Sequence, residues 1–352
     1  MGRQRMVGTV IYLLSEDGEL VLGEEVNVAL DRELALELVR VTEAAAIASG
    51  RWMGRGEREA ADQAAVTAMR TVFDSINIDG TVVIGEGELD QAPMLYIGER
   101  VGNGNPPKVD VAVDPLEGTN ILAKGLPNAI AVVAVAEEGC FLHAPDVYME
   151  KLAVGKWAKG KIDLDAPVID NLAAVAHGTG KNIGDLVVVV LDRPRNADLI
   201  AGIKAAGARL QLISDGDVAP AIAAGIDEEA PDMVWGIGGA PEGVLSAAAL
   251  KCLGGEMQAR LRPMSEHERQ RCRQMGIDKI DRLLPMEELV CGDEVMCAVT
   301  GITAGDLLEG VHYRGKEVRT SSLVLRATTG TVRFIRAIHD MSRKLGDGEA
   351  GR

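Results

Sequence analysis

The chain has 352 residues, of which 37 are Lys or Arg and 53 are Asp or Glu, so its formal charge at pH 7 is −16. This acidic balance excludes a nucleic-acid backbone as the main partner, because phosphate contacts need clustered Lys and Arg. Hydrophobic residues make up 47% of the chain, but no apolar run approaches the roughly 20 residues of a membrane helix. We therefore expect a cytoplasmic globular protein without a membrane partner, whose ligands are cations or molecules bridged by cations.

Two β-prone runs lie near the start of the chain. TVIYLL and ELVL flank Asp17-Gly18, a turn sequence, so residues 9–22 are predicted to form a β-hairpin. We interpret residues 1–28 as an N-terminal extension.

Apolar residues then recur at helical spacing, and a second helical segment follows. Helices are predicted at Asp31–Ser49, with Gly50 as a stop, and at Glu57–Asp74. The second helix carries Asp62 among small residues.

The remainder of the chain alternates predicted strands and helices. This alternation is typical of an α/β fold, which we divide into subdomains at residues 29–175 and 176–345. The predicted strands are Thr81–Gly85, Val109–Asp114, Ala129–Ala136, Leu186–Leu191, Leu210–Ser214 and Met233–Trp235, followed by β-prone runs between Val295 and His339. The predicted helices are Ala197–Ala206, Val218–Ala224, Pro241–Leu253 and the charged stretch SEHERQRCRQMG.

The cysteines and histidines show no metal-site spacing. There is no CxxC pair and no His at zinc-site distances, and the five histidines, His143 among them, are assigned no role. We expect buried, reduced thiols at Cys140, Cys252, Cys272, Cys291 and Cys297.

The densest chemical signal is the segment DPLEGT at residues 114–119. Asp114 follows the strand pattern VDVAVD, and Pro115 is expected to end strand pairing because it has no N–H. Glu117 adds a second carboxylate, and Gly118 and Thr119 offer close backbone approach and a hydroxyl. Carboxylates beside amide donors suit a phosphate only when divalent cations lie between them. The alternative is an Asp-Pro turn that caps a helix.

Two more acidic segments follow predicted strands. GEGELD places Glu86 and Asp90 after the strand TVVIG, although a solvated acidic turn explains this segment better when it is taken alone. GIGGAPEG is predicted to be a glycine loop after the strand DMVW, with Pro241 and Glu242 in the first turn of a helix. A dinucleotide-binding turn is the other interpretation, but the GxGxxG spacing fails at Pro241.

Positive charge for a substrate phosphate is available after another strand. Arg193 and Arg195, in LDRPR, follow the buried run LVVVVL, and guanidinium groups grip phosphate well. Asp215-Gly216-Asp217 ends LQLIS in the same way, and its other interpretation is a simple turn.

Taken together, these segments resemble a known family. GEGELDQAPMLYIGE, DPLEGTN, APDVYMEKL, LDRPR, SDGDVA and WGIGGAPEGVLSAAALKCLGGEMQARL are similar to the bacterial class II fructose-1,6-bisphosphatases, including the cyanobacterial fructose/sedoheptulose bisphosphatases. The resemblance runs from about Asp31 to about residue 340 and leaves the extension outside it. DPLEGT alone resembles the wider lithium-sensitive phosphatase superfamily, to which inositol monophosphatases belong.

The resemblance implies a layered α/β/α/β/α sugar-phosphatase fold with two mixed sheets, dependence on Mg²⁺ or Mn²⁺, and removal of the 1-phosphate of a ketose bisphosphate. It places metal ligands at Asp62, Glu86, Asp114, Glu117 and Glu242, and catalytic residues at Asp90 and Thr119. It places substrate contacts at Glu117, Gly118, Thr119, Tyr148, Arg193, Pro194, Arg195, Asp215, Gly216, Asp217 and Gly239. Arg58 departs from the family pattern, which often has Lys there. A homodimer or homotetramer is also expected.

Two questions stay open at the level of the sequence. The nucleophile is either a metal-bound water oriented by Thr119 and Asp90, or the Thr119 hydroxyl itself, which would form a phosphoenzyme. The alternatives to a fructose bisphosphatase are a sedoheptulose-1,7-bisphosphatase, an inositol monophosphatase, a divalent-cation-binding protein without catalysis, and a dinucleotide-dependent oxidoreductase.

Overall fold

The protein is described here by a computed structural model, which covers residues 5–7, 10–14, 20–22, 30, 32–87, 93–226 and 231–344. The strands are β1 (Arg5–Val7), β2 (Val10–Leu14), β3 (Leu20–Leu22), β4 (Asp79–Ile84), β5 (Arg100–Val101), β6 (Lys108–Glu117), β7 (Ile130–Glu137), β8 (Tyr148–Val154), β9 (Val187–Leu191), β10 (Arg209–Ile213), β11 (Met233–Gly239), β12 (Glu256–Leu261), β13 (Val295–Gly301), β14 (His312–Arg314), β15 (Glu317–Arg326) and β16 (Thr331–Asp340). The helices are α1 (Arg32–Ser49), α2 (Arg58–Phe73), α3 (Thr119–Ala123), α4 (Val168–Thr179), α5 (Ala197–Ala206), α6 (Val218–Ile226), α7 (Ala240–Leu253), α8 (Glu266–Gln274), α9 (Met286–Leu289) and α10 (Met341–Lys344).

The N-terminal strands form a small antiparallel sheet in the order β1-β2-β3. The predicted hairpin is therefore confirmed for its two strands, whereas its turn at residues 15–19 lies outside the described residues. The predicted helix cap Asp31 also lies outside them.

The larger sheet has eight strands in the order β14-β15-β13-β7-β6-β4-β5, with β16 paired to β15. Strands β4 and β6 are parallel and their neighbours antiparallel, so the sheet is mixed. The parallel pair matters for the site, because it brings the carboxyl ends of β4 and β6 to the same edge. Strands β6 and β7 are almost continuously apolar because layers cover both faces of the sheet.

The smaller sheet has the order β10-β9-β11-β8-β12. Strand β9 pairs in parallel with β10 on one side and with β11 on the other. Strands β8 and β12 are antiparallel to their neighbours. The carboxyl ends of β9, β10 and β11 therefore share one edge with the beginning of β8, where Tyr148 lies opposite Gly239. This sheet is mixed as well.

Helices separate and cover the two sheets. Helices α1 and α2 pack on the outer face of the larger sheet, α6 and α7 lie between the sheets, and α4 and α5 pack together beside the smaller sheet. Three clusters of buried apolar residues fill the spaces between these layers. The predicted α/β fold with two mixed sheets in α/β/α/β/α layers is confirmed. The strands of the smaller sheet all lie within residues 148–261, and a subdomain boundary near residue 175 stays a prediction.

Local structure departs from the sequence-based expectations at two strands. Pairing of β6 does not end at Pro115: the register with β7 shifts between Asp114 and Glu117 and then resumes, as in a β-bulge. The segment predicted to be a glycine loop is instead the second half of β11, paired with β8 as far as Gly239. Glycine is needed at Gly238 and Gly239 because other side chains lie close to the strand, and at Gly236 also because its φ is +135°.

The expectation of five reduced thiols is wrong for two of them. Cys140 and Cys291 form a disulfide, with their Cα atoms 4.7 Å apart, across 151 positions of sequence. Cys252, Cys272 and Cys297 are free and buried, as expected; all five cysteines belong to the described ranges.

Candidate active site

The candidate site is a cleft at the edge where β4 and β6 end. Helix α2 supplies Asp62, the turn after β4 supplies Glu86, and β6 supplies Asp114 and Glu117. Glu242 comes from the first turn of α7, the helix between the two sheets. The cleft has a volume of about 320 Å³ and is lined by all five carboxylates that the family resemblance singles out as metal ligands. The five carboxylates therefore converge on one cleft, while their role as metal ligands stays a prediction.

Three of these carboxylates are close enough to share an ion. One oxygen from each of Asp114, Glu117 and Glu242 lies within 4.8 Å of the others. Glu117 is buried, with 5% of its surface exposed, and the other two are half-buried. Negative groups at this spacing repel one another strongly when water is excluded.

Burial is the main cause of the raised pKa values in this cluster, and the neighbouring charges add to it. Burial raises the pKa of Asp62, and burial with the charges of Asp62 and Glu242 raises the pKa of Glu86 to about 8. Burial and then neighbouring carboxylates raise the pKa of Asp114 and of Glu117 well above the usual range. Burial likewise raises the pKa of Glu242. Without a cation, the cluster therefore retains protons that a bound dication would displace.

The donor set fits a hard divalent cation. It consists of carboxylate oxygens, which Mg²⁺ and Mn²⁺ prefer over nitrogen or sulfur ligands. Glu242 provides a second, independent sign, because its buried Oε2 has no hydrogen-bond partner among the described residues. A buried carboxylate oxygen without a partner is costly, and a metal ion would satisfy it.

The turn after β6 lines part of the cleft. Gly118 has φ +90°, a left-handed conformation that glycine adopts without strain, and it precedes α3 directly. The hydroxyl of Thr119 donates a hydrogen bond to the Leu116 carbonyl at 3.2 Å. Asn120 donates from its backbone and side chain to Asp215, at 3.3 and 3.0 Å, and so joins this turn to the end of β10. Gly118, Thr119, Asn120 and Asp215 all line the cleft.

A second group of predicted site residues lies at the edge of the smaller sheet. The guanidinium of Arg195 stacks 4.2 Å from the centre of the Tyr148 ring, and its Nε donates to the Ile237 carbonyl at 2.8 Å. Arg193 donates to the Ser214 carbonyl at 2.5 Å. These residues, with the exposed Pro194, lie at the carboxyl end of β9 and the start of β8, outside the lining of the metal cleft.

The remaining predicted residues fall into three situations. Gly216 and Asp217 are buried and do not line the cleft, and Asp217 forms an ion pair with Lys151. Gly239 lies directly against Glu242. Asp90 lies outside the described residues, so its predicted catalytic role stays a prediction.

Sequence reasoning missed three residues at or behind the site. Asp146 and Asn120 line the cleft, and Lys151 lies behind it. Asp146 and Lys151 both belong to the segment APDVYMEKL. The available sequence signal for Lys151 was a charged residue within a strand-like run. Arg58, the departure noted above, also lines the cleft and is the cationic residue among those lining it.

Carboxylates around a cleft at the edge of a mixed sheet, beside a glycine turn, form the kind of site that metal-dependent phosphoryl-transfer enzymes use. The family model described as bacterial fructose-1,6-bisphosphatase, glpX-encoded, matches residues 32–339. The chain is 48% identical over 326 residues to fructose-1,6-bisphosphatase 1 class 2 of Escherichia coli strain K12, covering 89% of this chain and 97% of that relative. The class 2 enzymes of Escherichia coli O6:H1 and Shigella flexneri match with the same identity and coverage. The chain therefore belongs to the bacterial class 2 fructose-1,6-bisphosphatase family.

Proposed function

We propose that this protein hydrolyses the 1-phosphate of fructose 1,6-bisphosphate, releasing fructose 6-phosphate and inorganic phosphate, with Mg²⁺ or Mn²⁺ as cofactor. The observation that carries the proposal is the convergence of five acidic side chains on one cleft, with oxygens of three of them within 4.8 Å. The relatives that match nearly the whole chain are named for the same reaction.

Different residues of the chain are proposed to bind the cation and to contact the 1-phosphate. Asp114, Glu117 and Glu242 would hold the cation, and Asp62 and Glu86 add charge for a further one. When bound, a divalent cation neutralises phosphoryl charge and lowers the pKa of a coordinated water. The glycine turn lets the backbone approach the phosphoryl group closely.

Thr119 is the proposed residue closest to the chemistry in this turn, and Asp90 is its proposed partner. A water nucleophile oriented by Thr119 and a phosphothreonine intermediate make different predictions for Thr119→Ala. Loss of a nucleophile would abolish turnover, whereas loss of an orienting hydroxyl would leave a residual rate. Rapid acid quenching with ³²P-labelled substrate would trap phosphothreonine only if the Thr119 hydroxyl is the nucleophile.

We assign the far phosphate of the substrate to the edge of the smaller sheet. Arg193 and Arg195 supply guanidinium groups there, and Tyr148 holds the plane of Arg195 by stacking. The cleft and this edge are joined through Asn120 and Asp215, which link the turn after β6 to the end of β10.

A phosphate-release panel tests the proposal. Fructose 1,6-bisphosphate, sedoheptulose 1,7-bisphosphate and inositol 1-phosphate are each assayed with and without Mn²⁺, which separates the three substrate classes in one experiment. We expect Asp114→Asn and Glu242→Gln to abolish release from fructose 1,6-bisphosphate without unfolding the chain. Glu287→Gln is the matched control, because that carboxylate is exposed on α9. Release that persists in Glu242→Gln, or that needs no metal, would refute the assignment.

We further propose a homodimer or homotetramer in the cytoplasm. Light scattering coupled to size exclusion would measure the oligomer mass. Within the part of the chain that the structure describes, no helix combines the length and apolar character needed to cross a membrane.

A further inference from the structure

A buried lysine lies directly behind the acidic cluster. Lys151, in β8, has only 3% of its surface exposed, which is rare for lysine unless its charge is paired. Its Nζ lies 2.8 Å from Oδ2 and 3.0 Å from Oδ1 of Asp217, and it donates to the Gly239 carbonyl at 3.1 Å. One ammonium group thus binds two separate segments of the chain.

Those two segments hold two of the three clustered carboxylates. Asp217 immediately precedes α6, and the first N–H of that helix, from Val218, donates to Glu117 Oε1 at 3.3 Å. Gly239 is the N-terminal cap residue of α7, whose first turn carries Glu242. Lys151 therefore connects the start of α6, which contacts Glu117, with the start of α7, which carries Glu242.

The glycines of β11 make this arrangement possible. A Cβ on Gly238 would lie 3.0 Å from Cε of Lys151 and 2.5 Å from Oδ2 of Asp217, so any larger residue would push the ion pair apart. At Gly239, a Cβ would overlap the carboxylate of Glu242. Gly238 thus leaves space for Lys151 and Asp217, and Gly239 leaves space for the carboxylate of Glu242.

We propose that Lys151 is a positioning residue that sets the separation of Glu117 and Glu242 for cation binding. It touches neither the substrate nor the cation, and it acts through Asp217 and the Gly239 carbonyl. The inference deepens the proposed function, but its first test uses metal binding alone and does not require that any substrate be hydrolysed.

The competing role for Lys151 is charge compensation, and the two roles predict opposite results. A lysine that only offsets negative charge repels an incoming dication, so its removal would tighten Mn²⁺ binding. A lysine that holds two ligands at the right spacing favours binding, so its removal would weaken it. Loss of residues that orient metal ligands typically costs about 10–100-fold in affinity.

The experiment measures Mn²⁺ binding to the metal-free, full-length protein by isothermal titration calorimetry. We expect Lys151→Met to weaken binding about 10–100-fold. Asp217→Asn should weaken it less, because the amide oxygen still accepts a hydrogen bond, and the double variant should be no worse than Lys151→Met alone. Lys181→Met is the matched control, since Lys181 forms a 2.8 Å ion pair with Asp232 before β11, at the opposite end of the same sheet. That control should bind Mn²⁺ as the unmodified protein does.

Two further measurements separate positioning from general damage. Excess Mn²⁺ should restore kcat of Lys151→Met for fructose 1,6-bisphosphate to within a few-fold, which a misfolded variant could not show. If Lys151→Met does not fold, Lys151→Arg retains the charge while its larger planar group cannot occupy the space beside Gly238; we expect weaker Mn²⁺ binding in this variant as well.

Tighter or unchanged Mn²⁺ binding in Lys151→Met, or unchanged binding in a folded Lys151→Arg, would overturn the inference. These outcomes differ from a failure of the proposed function, in which the unmodified protein binds Mn²⁺ but releases no phosphate from any substrate of the panel.

Discussion

The substitution Gly239→Ala isolates the position of one carboxylate. The backbone of Gly239 has φ −71° and ψ 146°, an extended conformation that alanine adopts without strain. The added methyl group, however, would lie 2.6 Å from Cδ of Glu242 and would overlap its Oε2. Because two carbon atoms need roughly 3.5–4.0 Å, the carboxylate must move by about 1 Å or more.

A shift of that size should affect binding and catalysis far more than stability. Misplacement of a reacting or binding group by about 1 Å can cost about 10²-fold in rate, equivalent to roughly 2.7 kcal/mol. A similar loss is expected for the orientation of a metal ligand. The fold itself should change little, because a glycine-to-alanine change at a compatible backbone position contributes about 0.4–1 kcal/mol of stabilisation through the unfolded state.

The assay compares Mn²⁺ affinity, phosphate release and urea unfolding of Gly239→Ala with those of Gly184→Ala. Gly184 is a fair control, because a Cβ there would meet nothing closer than 3.8 Å. We expect about a 100-fold loss of activity in the first variant and none in the second, with similar unfolding free energies. If Gly239→Ala binds Mn²⁺ and turns over like the unmodified protein, Glu242 does not hold its carboxylate where the structure places it, and the reasoning for this site fails.

Three other outcomes follow from the structure. The raised pKa of Glu86, about 8 against an ordinary 4.5, means that metal-free protein loses stability as pH rises through that interval. The loss is up to about 1.4 kcal/mol per pH unit. Without Mn²⁺ the melting temperature should fall between pH 6 and 8.5, and with Mn²⁺ it should change little. Thiol titration of unreduced, denatured protein should find three free thiols, rising to five on reduction of Cys140–Cys291. Arg195→Lys should raise KM about tenfold with little change in kcat, because lysine cannot both stack on Tyr148 and keep the planar fork for phosphate; an unchanged KM would remove Arg195 from the substrate site.

Local sequence patterns were sufficient to predict the strands beside Glu86 and Asp114, whereas the role of these carboxylates as metal ligands was implied only by the family resemblance. Glu86 and Asp114 come after apolar runs that could be identified as strands, and the parallel pairing of β4 and β6 places both at one edge. The helices α2 and α7 could also be predicted from local signals, among them the Pro at the start of α7. What such signals do not contain is the distance between segments. That Asp62 and Glu242 lie near each other was therefore implied only by the family resemblance. The folded chain shows that both line the same cleft.

Three features lay beyond local patterns for a physical reason. The glycines of β11 look like a loop, because the sequence does not reveal that side chains of Lys151 and Glu242 pass against them. The cysteines at 140 and 291 are 151 positions apart, so spacing alone carries no sign of their pairing. The buried lysine of β8 follows Glu150 in the strand, and the sequence does not reveal that its partners are Asp217, which precedes α6, and the Gly239 carbonyl of β11.

The position of the cleft explains why so many acidic groups are tolerated. Stability would favour apolar side chains in place of Asp114, Glu117 and Glu242, since burial raises the pKa of each of these carboxyl groups. The unfavourable charge is retained where strands of one sheet end against the helix that separates it from the other. At that point Asp114 and Glu117 are held by β6 and Glu242 by α7, so the oxygens remain close despite their repulsion, and a dication can bind with little rearrangement. The metal-free cluster is thus a local source of instability that cation binding relieves, which is why pH and Mn²⁺ should affect unfolding in opposite directions.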